Sequence, residues 1–319
     1  MSAPTQAAFE AAANMEQLYA LLATAGMGPG WNKPEPSLWP APRKNFLPAH
    51  WSFGLSRAAL DAAGRYVSTE LAERRNLILA NPVPGNDYAT VRTLIAAYQM
   101  VKPHETARSH RHTPNALRLV LDAAEKTYTI VDGVKIPMAP GDVLLTPNWA
   151  WHGHSNESDH CAYWIDVLDV PMVHFLEPMF FEAHPQRLEQ TDRVDAASPC
   201  RFAFKDVLAR LDRAQDVEPG RRVVELGPPH LDTVGLFMHR IDAGCSFAAG
   251  RTTAHSIYAV VEGAGRSDID GVEIRWSRGD VIAVPGWRPA RHEAFERSHL
   301  LRVTDEPLMR RLNWLREAP

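Results

Sequence analysis

The chain reads as an all-β protein made of two copies of one β-domain, and three observations carry that reading. Between Pro103 and Asn156, short β-rich runs such as Arg118-Leu119-Val120-Leu121 and Thr127-Tyr128-Thr129-Ile130-Val131 alternate with turn punctuation at Asp132-Gly133 and Pro140-Gly141-Asp142. The later half then repeats the earlier one in degraded form. Gly250 to Tyr258 lies over His110 to Arg118, and Gly279-Asp280 with Pro285 to Ala290 lies over Gly141-Asp142 with Pro147 to His152. Finally, 319 residues are long for one core and natural for two.

Taken in order, Thr5 to Ala25 carries Ala8, Phe9, Ala12, Met15, Leu18, Leu21 and Leu22 at helical spacing, which predicts an amphipathic helix. Pro29 to Pro42 is too rich in proline for regular structure. Its Trp31 and Trp39 suit an arm packed on a surface, such as a subunit interface. Arg57 to Arg65 reads as a short helix, and β-structure is expected from residue 73. Thr93 to Val101 is a buried strand by length and punctuation. Cys161 to Val170 is another, with Asp166 in an apolar setting. His174 to Glu189 reads as irregular with a short helix. Arg193 to Glu218 reads as a linker with one amphipathic helix, and the β-pattern resumes near Thr233. The division that follows is an arm (1–72), a first β-domain (73–190), a helical linker (191–218) and a second β-domain (219–319).

Composition excludes several classes of function. A hydrophobic content of 45% with 23% charged residues is that of an ordinary soluble globular protein. The net charge of −4 offers no general attraction to nucleic acid or an anionic membrane, so an anionic substrate must be met by local arginines. Cys161, Cys200 and Cys245 are odd in number and form no C-x-x-C, which suggests a reducing compartment and no thiolate metal site. No apolar run reaches the ~18–20 residues of a spanning helix, and the N-terminus lacks the basic region of a signal peptide. The expected location is the cytoplasm.

The chemistry concentrates in the histidines. In a strand, His110 and His112 share a face while Arg111 points away, and His152 arrives on a neighbouring strand. A histidine by itself is more often a satisfied polar residue, and that is the reading of His104, His160, His230 and His299. The combination is different: His-x-His enters one strand, Pro-Gly-Asp enters another, and Pro-x-Trp-x-x-His leaves it. Three neutral imidazoles converging from adjacent strands make a metal site. Nitrogen ligation suits Fe(II), Zn, Ni or Cu alike. Arg118, six residues after His112, shares the ligands' face if the strand is regular, and its guanidinium fork is a natural partner for a carboxylate or an oxyanion. In the second domain the three ligand positions have become Gly250, Thr252 and Ala290, so a metal-free domain is expected there, with His255 and His292 as ordinary core histidines.

These residues resemble the cupin signature. Gly141, Pro147, His152 and Asn156 fit its second half, with Trp149 where glycine usually stands. His110 and His112 fit its first half, although His104 stands at the first glycine position and Ala116 and Leu117 occupy the two places of the usual glutamate ligand. A cupin that keeps three histidines without this glutamate is similar to the gentisate 1,2-dioxygenases and their salicylate-cleaving relatives. The local wording His-Arg-His-Thr-x-x-Ala-Leu-Arg, Trp-x-Trp-His-x-His, Glu73-Arg74-Arg75 and Asn81-Pro82 resembles that family, over most of the chain from Trp39 to Trp314.

The resemblance implies two cupin (jelly-roll β-barrel) domains with N-terminal and linker helices. It implies one Fe(II) per chain at His110, His112 and His152, with dioxygen as co-substrate. The implied reaction opens a salicylate-type ring between the carboxyl- and hydroxyl-bearing carbons; gentisate, salicylate, 5-substituted salicylates and 1-hydroxy-2-naphthoate are the family's substrates. It also implies a homotetramer. His154 resembles an imidazole that hydrogen-bonds the substrate hydroxyl or bound oxygen, and Asp166 an acid that orients His154 or Arg118. Arg74 or Arg75 resembles an arginine that binds the substrate carboxylate, with the choice between them open. Gln99 is expected to line the pocket, Ile95 and Ala97 to shape it, and Trp149 and Trp151 to form apolar walls or pack in the core. Two other readings use the same three histidines. One is a different metallo-cupin enzyme, such as an isomerase, lyase or diketone dioxygenase; the other is a binding bicupin with a structural metal.

Overall fold

The computed structural model describes residues 3–72, 74–228 and 230–318; Glu73, part of the Glu73-Arg74-Arg75 motif, lies outside them. Residues up to Arg43 form one compact unit and those from Lys44 onward a second. The first unit holds two helices, Gln6–Glu10 and Met15–Thr24, rather than the single helix expected. Asn14 makes the break: its Oδ1 accepts from Gln17 N at 2.9 Å, capping a new helix start inside the apolar pattern.

The second unit is two β-barrels in series, antiparallel except where Arg193–Val194 runs parallel to Val134–Pro137. In the first, one six-stranded sheet runs Arg201–Phe202, Val143–Thr146, Ala116–Asp122, Ala162–Leu168, Ile95–Val101, Arg75–Ile78. The facing sheet runs Phe181–Ala183, Thr106–His112, His152–Asn156, Thr127–Val131, Val134–Pro137, Arg193–Val194. Asp132 (φ 44°) and Gly133 (φ 78°) close the hairpin between Thr127–Val131 and Val134–Pro137, the two positive φ values that a two-residue turn of this hand needs.

Alternation sorts each strand of the first sheet between two cores. Along Ala116–Asp122, Leu117, Leu119 and Leu121 enter a core shared by the two barrels, whereas Val120 packs inside its own barrel with Val101, Val131, Leu144 and Trp164. All seven residues of Ile95–Val101 are buried, which is why that strand reads as an unbroken apolar run.

The internal repeat holds in three dimensions. Gly141 (φ 86°) and Gly279 (φ 87°) make equivalent corners, and a Cβ on either would stand 2.5 or 2.6 Å from Phe204 or Phe53 respectively. Asp142 accepts from Phe204 N at 2.8 Å, and Asp280 from Phe53 N at 2.9 Å. Each carboxylate thereby seats a helix that precedes the other barrel in the chain. Phe204–Arg213 starts on the first barrel, and Phe53–Tyr66, longer than the expected 57–65, starts on the second. Ala49–Trp51 likewise pairs with Val281, Ile282 and Ala283 of the second barrel's sheet.

Two segments are more ordered than expected. Within 174–189, Phe181–Ala183 pairs with His112, Arg111 and His110. In the linker, Arg193–Val194 joins Val134 and Lys135, and Arg201–Phe202 joins Leu144 and Val143. Elements of two or three residues leave too little periodicity to read. Among the described residues, no helix is long and apolar enough to cross a membrane.

Candidate active site

His110, His112 and His152 meet in the first barrel. His110 stands opposite His152 in the ladder, His112 follows on the same face, and one ring nitrogen from each lies within 4.8 Å of the others. Their rings are oriented by backbone. Nδ1 of His110, His112 and His152 faces the carbonyl oxygens of Arg108 (3.3 Å), Pro114 (2.8 Å) and Ala150 (3.0 Å). Donation from Nδ1–H to those carbonyls puts the lone pair of each ring on Nε2, the tautomer a metal requires. Burial keeps the rings neutral. It lowers His110 to about 3, with Arg74 as the next cause, and pushes His152 well below the usual imidazole range, assisted by His110 and His112. His112 is also lowered by burial, partly offset by its bond to Pro114. The three rings therefore fit a divalent cation that takes nitrogen ligands.

Beside them runs a polar chain that starts at the half-buried Arg74 and is buried from Gln99 onward. Arg74 Nε donates to Gln99 Oε1 at 2.7 Å, and Gln99 Nε2 to Asp166 Oδ2 at 2.9 Å. Asp166 Oδ1 lies 3.3 Å from Arg118 Nε, an ion-pair contact not aligned as a hydrogen bond. Arg118 Nη1 donates to Thr129 Oγ1 at 2.7 Å and lies 3.1 Å from His154 Nδ1, while Nη2 donates to Thr146 Oγ1 at 3.1 Å. Burial pulls Arg118 below its usual range and Asp166 opposes that shift. His154 is held well below its usual range by burial first and the Arg118 charge second, so it stands as a neutral ring beside a cation.

Residues 97–168 match the cupin domain family. The chain is 31% identical to a gentisate 1,2-dioxygenase from Streptomyces sp, covering 95% of both proteins. It is 30% identical to a 5-aminosalicylate 1,2-dioxygenase from Comamonas sp, over 95% of this chain and 90% of that one. Its structure superposes on a salicylate 1,2-dioxygenase from Pseudaminobacter salicylatoxidans with a TM-score of 0.88, at 27% identity, covering 99% of this chain and 98% of the other. The chain belongs to the gentisate and salicylate 1,2-dioxygenase family. It is a bicupin, and its enzyme class is that of ring-cleaving oxidoreductases that incorporate dioxygen.

Within this family member the remaining expected site residues are placed as follows. Ile95, Ala97 and Gln99 share one face of their strand, with Ala97 opposite Asp166 and Gln99 opposite Trp164. Arg74 reaches Gln99, but Arg75 does not join the pocket. It begins the strand Arg75–Ile78, turns to an ion pair with Glu105 and donates to Val67 O at 2.8 Å. Trp149 is a second correction. Its φ is 63° and its N–H donates to His112 O at 3.0 Å, but its ring packs 4.5 Å from the Arg111 guanidinium, on the outward side of the His110–His112 strand. Trp151 lies against the same guanidinium at 4.5 Å, so neither tryptophan walls the metal site or fills the core.

Arg118 reaches the pocket by a route different from the one expected. The chain leaves its strand at Thr113, and Arg118 sits on the opposite sheet, facing inward by the alternation of Ala116–Asp122. Sequence reasoning missed four neighbours. Thr129 and Thr146 hold Arg118, Trp164 lies 4.8 Å from the His154 ring, and Phe181 lies 5.2 Å from the His110 ring. The inward phase of Thr127-Tyr128-Thr129 could have pointed to Thr129; the other three depend on long-range packing.

Proposed function

We propose that the first barrel holds one Fe(II) through His110, His112 and His152 and opens a salicylate-type ring, using dioxygen, between the carbons bearing the carboxyl and hydroxyl groups. The observation that carries this reading is the three-imidazole face with all its Nδ1 atoms tied to backbone, next to a sealed arginine–histidine pair. Bound there, Fe(II) supplies the redox centre through which an electron-rich ring and dioxygen react.

The chain's own residues orient that chemistry. Arg74, held by Gln99, offers a fork to the substrate carboxylate. His154, neutral and pressed against Arg118, hydrogen-bonds the phenolic oxygen and moves its proton. Arg118 adds fixed positive charge where negative charge develops, and Asp166 with Thr129 and Thr146 keeps it from reorienting. Ile95 and Ala97 shape the pocket around the ring. Gentisate, salicylate or a 5-substituted salicylate is the substrate, as the names of the relatives suggest and as a gentisate adduct of the salicylate enzyme supports. The enzyme acts in the cytoplasm as a homotetramer with its second barrel metal-free. The exposed apolar residues Phe175, Leu176, Phe180 and Phe181 suit a subunit contact, and the free thiols of Cys161, Cys200 and Cys245 suit a reducing compartment.

An iron-reconstituted oxygen-uptake screen across gentisate, salicylate and 5-substituted salicylates tests the reading. Stoichiometric uptake with both atoms of labelled dioxygen in a ring-opened acid is expected with at least one of them. Uptake with none of the panel would remove ring cleavage of this substrate class.

A further inference from the structure

The second barrel carries a cavity of about 530 Å³, open to solvent on one side, within the range of roughly 300–1,000 Å³ typical of small-molecule sites. Register across the sheets shows which residues took over the places of the first site. Asn76 and Trp164 stand opposite Gln99; Val223 and Leu300 stand opposite His239. Asp166 stands opposite Arg118 and Ala97; Arg302 stands opposite Tyr258 and Phe237. His239 thus holds the place of Gln99, Tyr258 that of Arg118, and Arg302 that of Asp166. Arg221, two residues before Val223, holds the place of Arg74. The carboxylate at the centre of the first polar chain has become a guanidinium.

This arrangement leaves donors unanswered. His239 is 4% exposed, and among the described residues neither of its ring nitrogens has a hydrogen-bond partner; both it and Arg221 line the cavity. Arg221 Nε is likewise buried without a partner. Glu218 meets Arg221 Nη1 at 3.2 Å and Glu306 meets Arg302 Nη2 at 2.9 Å. Glu306 and Glu317 line the cavity with these arginines, and Arg302 Nε donates to Ser256 Oγ at 3.0 Å, which leaves Arg302 Nη1 and Arg221 Nε as the open donors. His239 and His292 are both lowered by burial first and by Arg221 and Arg302 next, with no acidic group opposing either shift. Part of the wall is aromatic: the His239 ring stacks on Phe247 at 5.5 Å, and Tyr258 stands edge-on to it at 5.9 Å.

We infer that the second barrel binds a small planar organic acid, its carboxylate taken by Arg221 and Arg302 and its ring laid among His239, Phe247 and Tyr258. No metal is required, and the inference is independent of the metal and reaction assigned to the first barrel. The site is the first barrel's acid-binding pocket with the metal ligands deleted and its one acidic member reversed in sign.

The test uses 4-bromobenzoate with the full-length, iron-loaded protein, because this probe has the flat ring and carboxylate but no ortho hydroxyl for chelation. Titration calorimetry should show saturable binding that Arg221→Gln and Arg302→Gln each weaken by about tenfold or more, in line with loss of a charge-assisted fork. Arg74→Gln should leave that component in place. In soaked wild-type crystals the anomalous bromine peak should fall in the second barrel, a measurement that does not depend on any variant folding. A bromine peak confined to the first barrel would overturn the inference. So would unchanged affinity in both arginine variants, which would put the solution binding outside this cavity, or a bromine peak there with no calorimetric binding, which would mean binding at crystal concentration only.

Discussion

The two barrels share their corners, helix seats and most of their ladders; the strand of His110 and His112 is matched by two, Ser246–Ala249 and Arg251–Thr252, with Gly250 between them. Val131 stands opposite His152 in the first barrel, and Ile269 opposite Ala290 in the second. Trp149 N donates to His112 O, and Trp287 N, at the same kind of positive φ (63° and 62°), donates to Thr252 O at 2.6 Å. Two residues further, on the same face, the polar pairs persist: Thr129 opposite His154, Ser267 opposite His292. The cupin frame is therefore specified by glycine corners, aspartate caps and alternating apolar residues, none of which touches a metal. Ligands can be lost without cost to that frame, and the vacated interior can be given a different charge.

The largest effect that would test this contrast is at a ligand. His152→Ala should abolish iron loading and oxygen uptake together, measured by metal analysis and an oxygen electrode; iron retained near one equivalent per chain would mean the ligand set is misassigned. The converse experiment rebuilds the second site. Ala290→His alone should leave iron at one equivalent per chain, because Gly250 and Thr252 still supply no imidazole, whereas adding Gly250→His and Thr252→His should raise it toward two. Next comes the polar chain. Arg118→Ala should keep iron near normal while kcat/KM falls by about 10²-fold, the scale of losing one positioned donor. It should also lower the melting temperature, since Asp166 is left buried beside a vacancy.

Acid should then weaken both barrels. His110 and His292 are each lowered to about 3, and His152, His154 and His239 are lowered well below the usual range. These rings are neutral when folded but take up protons near pH 6.5 when unfolded. Their contribution is present above about 6.5 and is lost progressively as pH falls toward about 3. Thermal melts of the iron-free protein should show the midpoint dropping through that window, and a flat profile would contradict the burial described. The smallest effect is expected at Trp149→Gly. Relief of the left-handed backbone and loss of the contact with Arg111 oppose one another, each about 1 kcal/mol. Stability should move by less than that, with iron content unchanged in metal analysis.

Part of this site was legible in one dimension. His110 and His112 share a face by strand period, and Pro147 to His152 carries its own turn chemistry, so the ligand trio follows from local pattern. Arg74 and Arg75 did not separate that way. Their neighbourhood in sequence is the same, and only Glu105 and Val67 on one side and Gln99 on the other tell them apart. Trp149 sits outside the pocket, with a positive φ and its ring against Arg111, and the sign of φ is not legible from residue order at a non-glycine position. Spacing from His112 predicts the inward face for Arg118 along one strand, whereas the chain breaks between Thr106–His112 and Ala116–Asp122 and the second strand supplies that face.

Residue order alone therefore carries the alternation, the turns, the duplicated frame and the identity of the three imidazoles, because each is marked by a local pattern, whereas the meeting of His110 with His152 is a pairing of strands distant in the chain. Only the tertiary structure decided which arginine faces inward, that Thr129 and Thr146 hold Arg118, and that Arg221, His239 and Arg302 meet around a cavity. Those meetings depend on how strands distant in the chain register and how two sheets face each other. That geometry is set by packing of the whole barrel and is written in no single stretch of residues.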